Sequence, residues 1–261
     1  MGRVKTTASA GGDAIGSVRA MARRALERLL DRFEYRLTDV LTDPSGLSMA
    51  CARLKRHGFA PRTVIDVGVG PGTPWLYRAF PEARFELFEA IEGFRPQIEG
   101  VTAGLDARLH FCALGESPGT ADFEINADTP TSSSMARYAP DYYRVREAAR
   151  VTRQVPVRTL DGFGPFEGPV LLKLDVEGYE GHVLRGAREM LRGVEVIISE
   201  VSVVRRTEAE LSLAAYLGLL ESLGFSMVNI AEINSLRRGG PIAYMDLVFV
   251  RSTSPLRRGA L

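Results

Sequence analysis

The chain has 261 residues, with 33 lysines and arginines against 32 aspartates and glutamates, a formal net charge of +1, 45% hydrophobic and 25% charged residues. That balance excludes a protein whose main work is gripping nucleic acid or an anionic membrane, and the length suits one large α/β domain with extensions. Cys51 and Cys112 lie far apart and outside any CxxC spacing, which argues against a disulfide framework and a thiolate zinc site. No apolar run approaches the ~20 residues needed to span a bilayer, and residues 1–16 have no apolar signal region. The expectation is a cytoplasmic protein without a transmembrane segment.

Residues 1–13, rich in Gly, Ala, Ser and Thr, are expected to be disordered. From Ala14 to Phe33, Ile15, Val18, Ala22, Leu26, Leu29 and Phe33 recur at three- and four-residue steps with charged residues between them, predicting an amphipathic helix. Its apolar face is expected to pack on the main domain, and can equally serve a homodimer or a lid. Gly46 to His57 reads as a second helix, stopped by Gly58, so that 14–60 forms a helical extension.

The pattern then changes. Short apolar runs at 63–67, 84–88, 109–114, 170–174, 194–199, 226–230 and 245–251 read as strands. Helices are predicted over 181–191 and over 207–223, the latter opened by a Thr207-x-x-Glu210 capping box. Continuous apolar strands alternating with helices indicate a parallel sheet covered on both faces over 61–251, its last strand antiparallel, followed by a flexible tail at 252–261. The 54 residues from Gly115 to Gly168 are too many for a simple connection. They are expected to hold a crossover helix and a cap over the cleft. Tyr138, Tyr142, Tyr143, Arg144, Arg146, Arg150 and Arg153 fall here. In a chain of balanced charge they read as a substrate lid, and no nucleic-acid partner is expected.

Asp66-Val67-Gly68-Val69-Gly70-Pro71-Gly72 follows the first strand, where glycines let the backbone turn tightly and approach a ligand. The next strand ends at Glu89, 23 residues after Asp66, placing a carboxylate where it can accept hydrogen bonds from the ribose of an adenosine cofactor. A dinucleotide fingerprint starting at Gly68 requires glycine at position 73, which is Thr73. Asp66 repels a pyrophosphate and suits the ammonium of a methionine moiety. The contrast points to S-adenosylmethionine rather than NAD.

The loop resembles motif I of the class I methyltransferases. The block Leu172-Lys173-Leu174-Asp175-Val176-Glu177-Gly178-Tyr179-Glu180, continuing through Val183-Leu184-Arg185-Gly186-Ala187, resembles the signature of the FkbM-type methyltransferases. Ala113-Leu114-Gly115, Ser132 to Ser134, Thr159-Leu160-Asp161 and Asp246 support the resemblance, which spans 61–251. It implies a Rossmann-like, doubly wound seven-stranded class I methyltransferase sheet, with the cap between strands 3 and 4. It further implies S-adenosylmethionine bound by Asp66, Gly68, Gly70, Gly72, Glu89, Leu114 and Ser133, and transfer to a hydroxyl of a small molecule, glycan, glycolipid or secondary metabolite.

Such transfer needs an oxygen held near the sulfonium methyl with water excluded, and a group to take the hydroxyl proton. Asp175 ends the fourth strand, Glu177 follows it and Glu200 ends the fifth, so these three are the expected catalytic carboxylates. As structural groups, Asp175 would cap the following helix and Glu177 would favour its dipole. The set fixes no ligand geometry, and no metal is assigned. His57, His110 and Cys112 read as structural residues, with His182 a weaker candidate base. Two alternatives remain at this level. One is an NAD-dependent oxidoreductase. The other is a non-catalytic interaction module acting through the N-terminal helix.

Overall fold

The computed structural model describes residues 46–126, 130–135, 150–235 and 240–259. The predicted helix at 14–33, the N-terminal run and the tyrosines and arginines of 136–149 lie outside the described residues. In chain order the elements are α1 (Gly46–Arg56), β1 (Thr63–Val67), α2 (Pro74–Ala79), β2 (Arg84–Glu89), α3 (Arg95–Val101), β3 (Ala107–Phe111), β4 (Ala113–Leu114), β5 (Gly119–Asn126), β6 (Arg150–Arg158), β7 (Val170–Leu174), α4 (Glu180–Arg185), β8 (Val194–Ser202), α5 (Leu213–Ser222), β9 (Phe225–Ser235), β10 (Ile242–Arg251) and α6 (Leu256–Gly259).

Seven strands form one sheet in the order β3-β2-β1-β7-β8-β10-β9. The first five are parallel, and β10 runs antiparallel to both β8 and β9, as expected for the last strand. All five residues of β1 and all five of β7 are buried, because a parallel strand flanked by helices meets apolar side chains on both faces. One face packs Leu172, Leu174, Val183, Leu184 and Leu220; the other packs Leu54, Val64, Leu76, Phe85 and Ile98. α1 presents Ala50, Cys51 and Leu54 to the second of these layers, and Gly58, with φ +84°, ends its path. The chain lays β2 and β3 to one side of β1, then β7 and β8 to the other. The strand order therefore reverses between β1 and β7, the place where open α/β sheets hold ligands at the carboxyl ends of their strands.

Several expectations change. The 109–114 run divides: β3 ends at Phe111, and Ala113–Leu114 turns away to pair with β6 in a second sheet of order β4-β6-β5. That sheet lies in the described part of the expected cap region, where no α-helix is found between β4 and β7. Alternation along β5 and β6 buries Phe123, Val155 and Val157 in a small core of their own, so these two stretches have a strand period; of the segment expected to hold the crossover helix, 136–149 lie outside the described residues. The helix predicted over 181–191 is interrupted, with α4 ending at Arg185 and a 3-10 turn at Met190–Gly193. The Thr207 capping box opens no helix. α5 starts six residues later, capped by Ser212 Oγ accepting from Ala215 N. The tail also carries structure: α6 buries Leu256.

Candidate active site

The chain leaves β1 through a turn that only glycine can make. Gly68 has φ +77°, and a Cβ there would lie 1.7 Å from the carbonyl oxygen of Asp175. Gly70 and Gly72 have φ +56° and +123°, and a Cβ on Gly72 would meet Val101 at 2.4 Å. Gly68 N donates to Phe88 O at 3.0 Å, tying the turn to β2. Asp175 N donates to Val67 O at 3.0 Å, tying the tips of β1 and β7 together.

Glu89 closes β2 and is buried. Its Oε2 accepts from Gly70 N at 2.8 Å and its Oε1 from Ile91 N at 2.7 Å. Burial pushes the carboxyl up, while these backbone donors and Lys173 oppose the shift. Gly68, Gly70, Gly72, Glu89, Leu114 and Ser133 all line one cavity of about 290 Å³ at the sheet's switch point. Ser133 Oγ also accepts from Asn126 N at 3.1 Å.

Asp66 sits differently from its expected place. It is fully buried beneath the loop and is not among the lining residues. Its Oδ1 lies 3.2 Å from Lys173 Nζ, and its Oδ2 accepts from the Tyr77 hydroxyl at 3.0 Å. Lys173 also donates to Gly68 O at 2.9 Å and lies 3.3 Å from Asp175 Oδ2. Burial opposes the charge of Lys173, but Asp66 and Asp175 outweigh it and push its pKa up. The negative charge expected to face a ligand is thus used to anchor a lysine. That lysine in turn holds the glycine loop from below.

Asp175, Glu177 and Glu200 line the same cavity, each bringing a carboxylate oxygen within 4.8 Å of the others. Glu177 takes φ +53°, a conformation uncommon for a side-chain-bearing residue. Ser134 Oγ donates to its carbonyl at 3.0 Å, and the buried Glu180 accepts from Val176 N at 2.9 Å and Gly178 N at 3.2 Å, which fixes the strained loop on both sides. Arg206, 3% exposed, joins the cluster from beyond β8: Nη1 donates to Glu177 at 3.1 Å, Nη2 to Glu200 at 2.7 Å and Nε to Ser202 at 2.7 Å. Its guanidinium also lies 5.0 Å from the Tyr244 ring centroid. Burial pushes the Glu177 carboxyl up to about 7 against the pull of Arg206, and raises Glu200 well above the usual range. Because Arg206 already holds an oxygen of two of the three carboxylates, the chain supplies its own cation here and no metal is assigned to the cluster.

Arg206 and Lys173 are the cations that sequence reasoning missed. Lys173 stood in the quoted motif without a role. Arg206 precedes Thr207-x-x-Glu210, whose glutamate reads as a helix cap; Glu210 does accept from Thr207 N at 3.2 Å, but also from Arg206 N at 2.5 Å, and no helix opens there. Asp161 accepts from Met190 N at 2.8 Å and is a structural cap. Of the histidines, His110 is 2.7 Å from Glu86 and stacks on Phe88, and His182 stacks on Tyr179; neither lines the cavity. Cys112 does line it, its thiol pushed up to about 11 by burial and so protonated. Among the described residues no helix is long and apolar enough to cross a membrane.

The sequence matches the methyltransferase FkbM domain over residues 66–227. No curated protein matches it by sequence. Among solved structures it is similar to a magnesium protoporphyrin IX methyltransferase from Synechocystis crystallised with S-adenosylmethionine, at 15% identity and TM-score 0.46 over 94% of this chain and 100% of that one. It is similar to a 1,6-didemethyltoxoflavin-N1-methyltransferase from Burkholderia thailandensis with bound 1,6-didemethyltoxoflavin and S-adenosylhomocysteine, at 16% identity and TM-score 0.42 over 95% and 93%. It is also similar to an O-methyltransferase family protein from Burkholderia thailandensis, at 12% identity and TM-score 0.42 over 80% of this chain and 56% of that one.

Proposed function

The chain belongs to the FkbM methyltransferase family, whose cofactor is S-adenosylmethionine, and from that premise we propose that it methylates a hydroxyl of a small molecule or glycan. The observation that carries this reading is the group of three carboxylates, Asp175, Glu177 and Glu200, lining the same cavity as the glycine loop.

The residues present suit the cofactor. Each oxygen of Glu89 accepts one backbone N–H and keeps a second lone pair for a ribose hydroxyl. Gly68, Gly70 and Gly72 leave the loop backbone bare, with Leu114 and Ser133 closing the same cavity. Asp66 acts through Lys173 on the Gly68 carbonyl and is a positioning residue. When bound, S-adenosylmethionine supplies a sulfonium methyl open to in-line displacement.

A hydroxyl becomes a competent nucleophile as its proton leaves. A carboxylate with a pKa of about 7 is a well-matched acceptor for that proton at neutral pH, which favours Glu177 as general base. Arg206 binds one oxygen of Glu177 and one of Glu200, orienting both. Asp175, tethered to Lys173, orients the hydroxyl. Burial of most of Glu177 and Glu200 limits competing water there.

The reading is tested by transfer of tritiated methyl from S-adenosylmethionine to an extract of the producing cell, with identification of the labelled product. A methyl ether is expected, and Glu177→Gln should slow its formation ~100-fold or more. Label on nitrogen or carbon, or full activity in Glu177→Gln, contradicts it.

A further inference from the structure

One carboxylate on the cavity wall is left over. Strand pairing sets Glu200 on β8 directly opposite Asp246 on β10, and Asp246 directly opposite Glu232 on β9. Residues opposite each other in antiparallel strands project from the same face, so three acids stand side by side across neighbouring strands. Like charges in that arrangement repel. The outer two are provided for: Glu200 has Arg206, and Glu232 accepts from Leu47 N at the start of α1, at 3.5 Å. The middle one is not. Among the described residues Asp246 has no hydrogen-bond or ion-pair partner, although it is half-buried and lines the cavity. Burial, Asp175 and Glu232 push its carboxyl up to about 7, with Lys173 and Arg206 pulling the other way. Both of those cations are already engaged: Lys173 by Asp66, Asp175 and Gly68 O, and Arg206 by Glu177, Glu200 and Ser202.

We propose that Asp246 receives a cationic amine of the acceptor, so that the molecule methylated is an amine-bearing polyol, such as an aminated sugar, rather than a neutral or anionic one. This rests on the reading of the cavity as the site of O-methylation. The position separates Asp246 from the nucleoside end of the cavity. β10 stands three strands from β1, about 14 Å at ordinary strand spacing, whereas the glycine loop leaves the tip of β1 itself. Tyr179, on the loop that follows β7, also lines the cavity and offers flat apolar surface to the C–H face of a sugar ring. An amine held as an ammonium by Asp246 has no free lone pair. It therefore anchors the acceptor and leaves the hydroxyl beside Glu177 as the nucleophile. A phosphate, sulfate or carboxylate group on the acceptor would instead face Asp175, Glu177, Glu200 and Asp246 together.

The test is binding of glucosamine, glucose and glucuronate to the protein saturated with S-adenosylhomocysteine, measured by titration calorimetry for wild type and Asp246→Asn. Wild type is expected to bind glucosamine ~10-fold or more tightly than glucose, and glucuronate least, because a charge-assisted contact is worth at least one decade in affinity. Asp246→Asn should erase the preference for the amine and leave S-adenosylhomocysteine affinity unchanged. Equal or undetectable binding of all three sugars in wild type overturns the proposal, as does a preference that survives in Asp246→Asn. A fall in S-adenosylhomocysteine affinity in that variant also overturns it, since the ammonium met there would be the nucleoside's own. Selective binding of glucosamine without methyl transfer to any alcohol would instead count against O-methylation and leave the role of Asp246 standing.

Discussion

Gly68 and Asp175 are packed so closely that a Cβ on the glycine would fall 1.7 Å from the aspartate's carbonyl oxygen. Both partners are backbone, tied by the Asp175 N to Val67 O bond, so neither can yield without parting β1 from β7. Gly68→Ala is therefore expected to cost about 3 kcal/mol or more of folding stability and to abolish S-adenosylhomocysteine binding. Urea unfolding and calorimetry check this; a variant with wild-type stability and affinity contradicts it.

The Lys173–Asp66 pair lies where water cannot replace a lost partner, with Asp66 fully buried. Lys173→Met keeps the side chain's bulk but strands the aspartate, and should destabilise the fold by about 3–5 kcal/mol. Adding Asp66→Asn removes the stranded charge and should restore much of the loss. If the double variant is no more stable than Lys173→Met alone, the ion pair is not what holds the loop.

Glu180 illustrates how the site couples to pH. Burial raises its carboxyl to about 7, while the unfolded chain titrates near ~4.3. Between those values the folded protein binds the extra proton. Its contribution to stability is thus complete below about pH 4.3 and is lost as pH rises through 7. Glu180→Gln keeps an oxygen for Val176 N and Gly178 N but cannot ionise. Relative to wild type it should gain on the order of 2 kcal/mol between pH 5 and pH 8. Urea midpoints across that range give the difference, and a constant offset between the two proteins contradicts it.

Much of the fold was legible because periodicity survives in a single sequence. Continuous apolar runs marked each of the seven main strands, and the glycine-rich turn after β1 marked the ligand-binding edge. Where reading failed, a longer-range contact decided the outcome. Ala113–Leu114 continues β3 in composition, but pairing with β6 pulls it into a second sheet. Thr207-x-x-Glu210 has the local chemistry of a helix cap, yet Glu210 is drawn to Arg206, and Arg206 to carboxylates from two other elements. Asp66 reads from sequence as facing a ligand, and only the strand register reveals that Lys173 stands beside it. Of the three clustered carboxylates, Asp175 and Glu177 follow a strand end that the sequence marks, whereas β8 runs on to Ser202 and so Glu200 lies within its strand rather than closing it. The lone position of Asp246 emerges only when β8, β10 and β9 are set side by side.

The most direct measurement is the affinity of S-adenosylhomocysteine for wild type and for Glu89→Ala, by calorimetry, with circular dichroism to confirm that both are folded. Glu89 meets the glycine loop through Gly70 N and faces the cavity with its remaining lone pairs, so its removal is expected to weaken binding ~100-fold while the fold persists. Equal affinity in the two folded proteins would place the nucleoside elsewhere and contradict the assignment of this cavity.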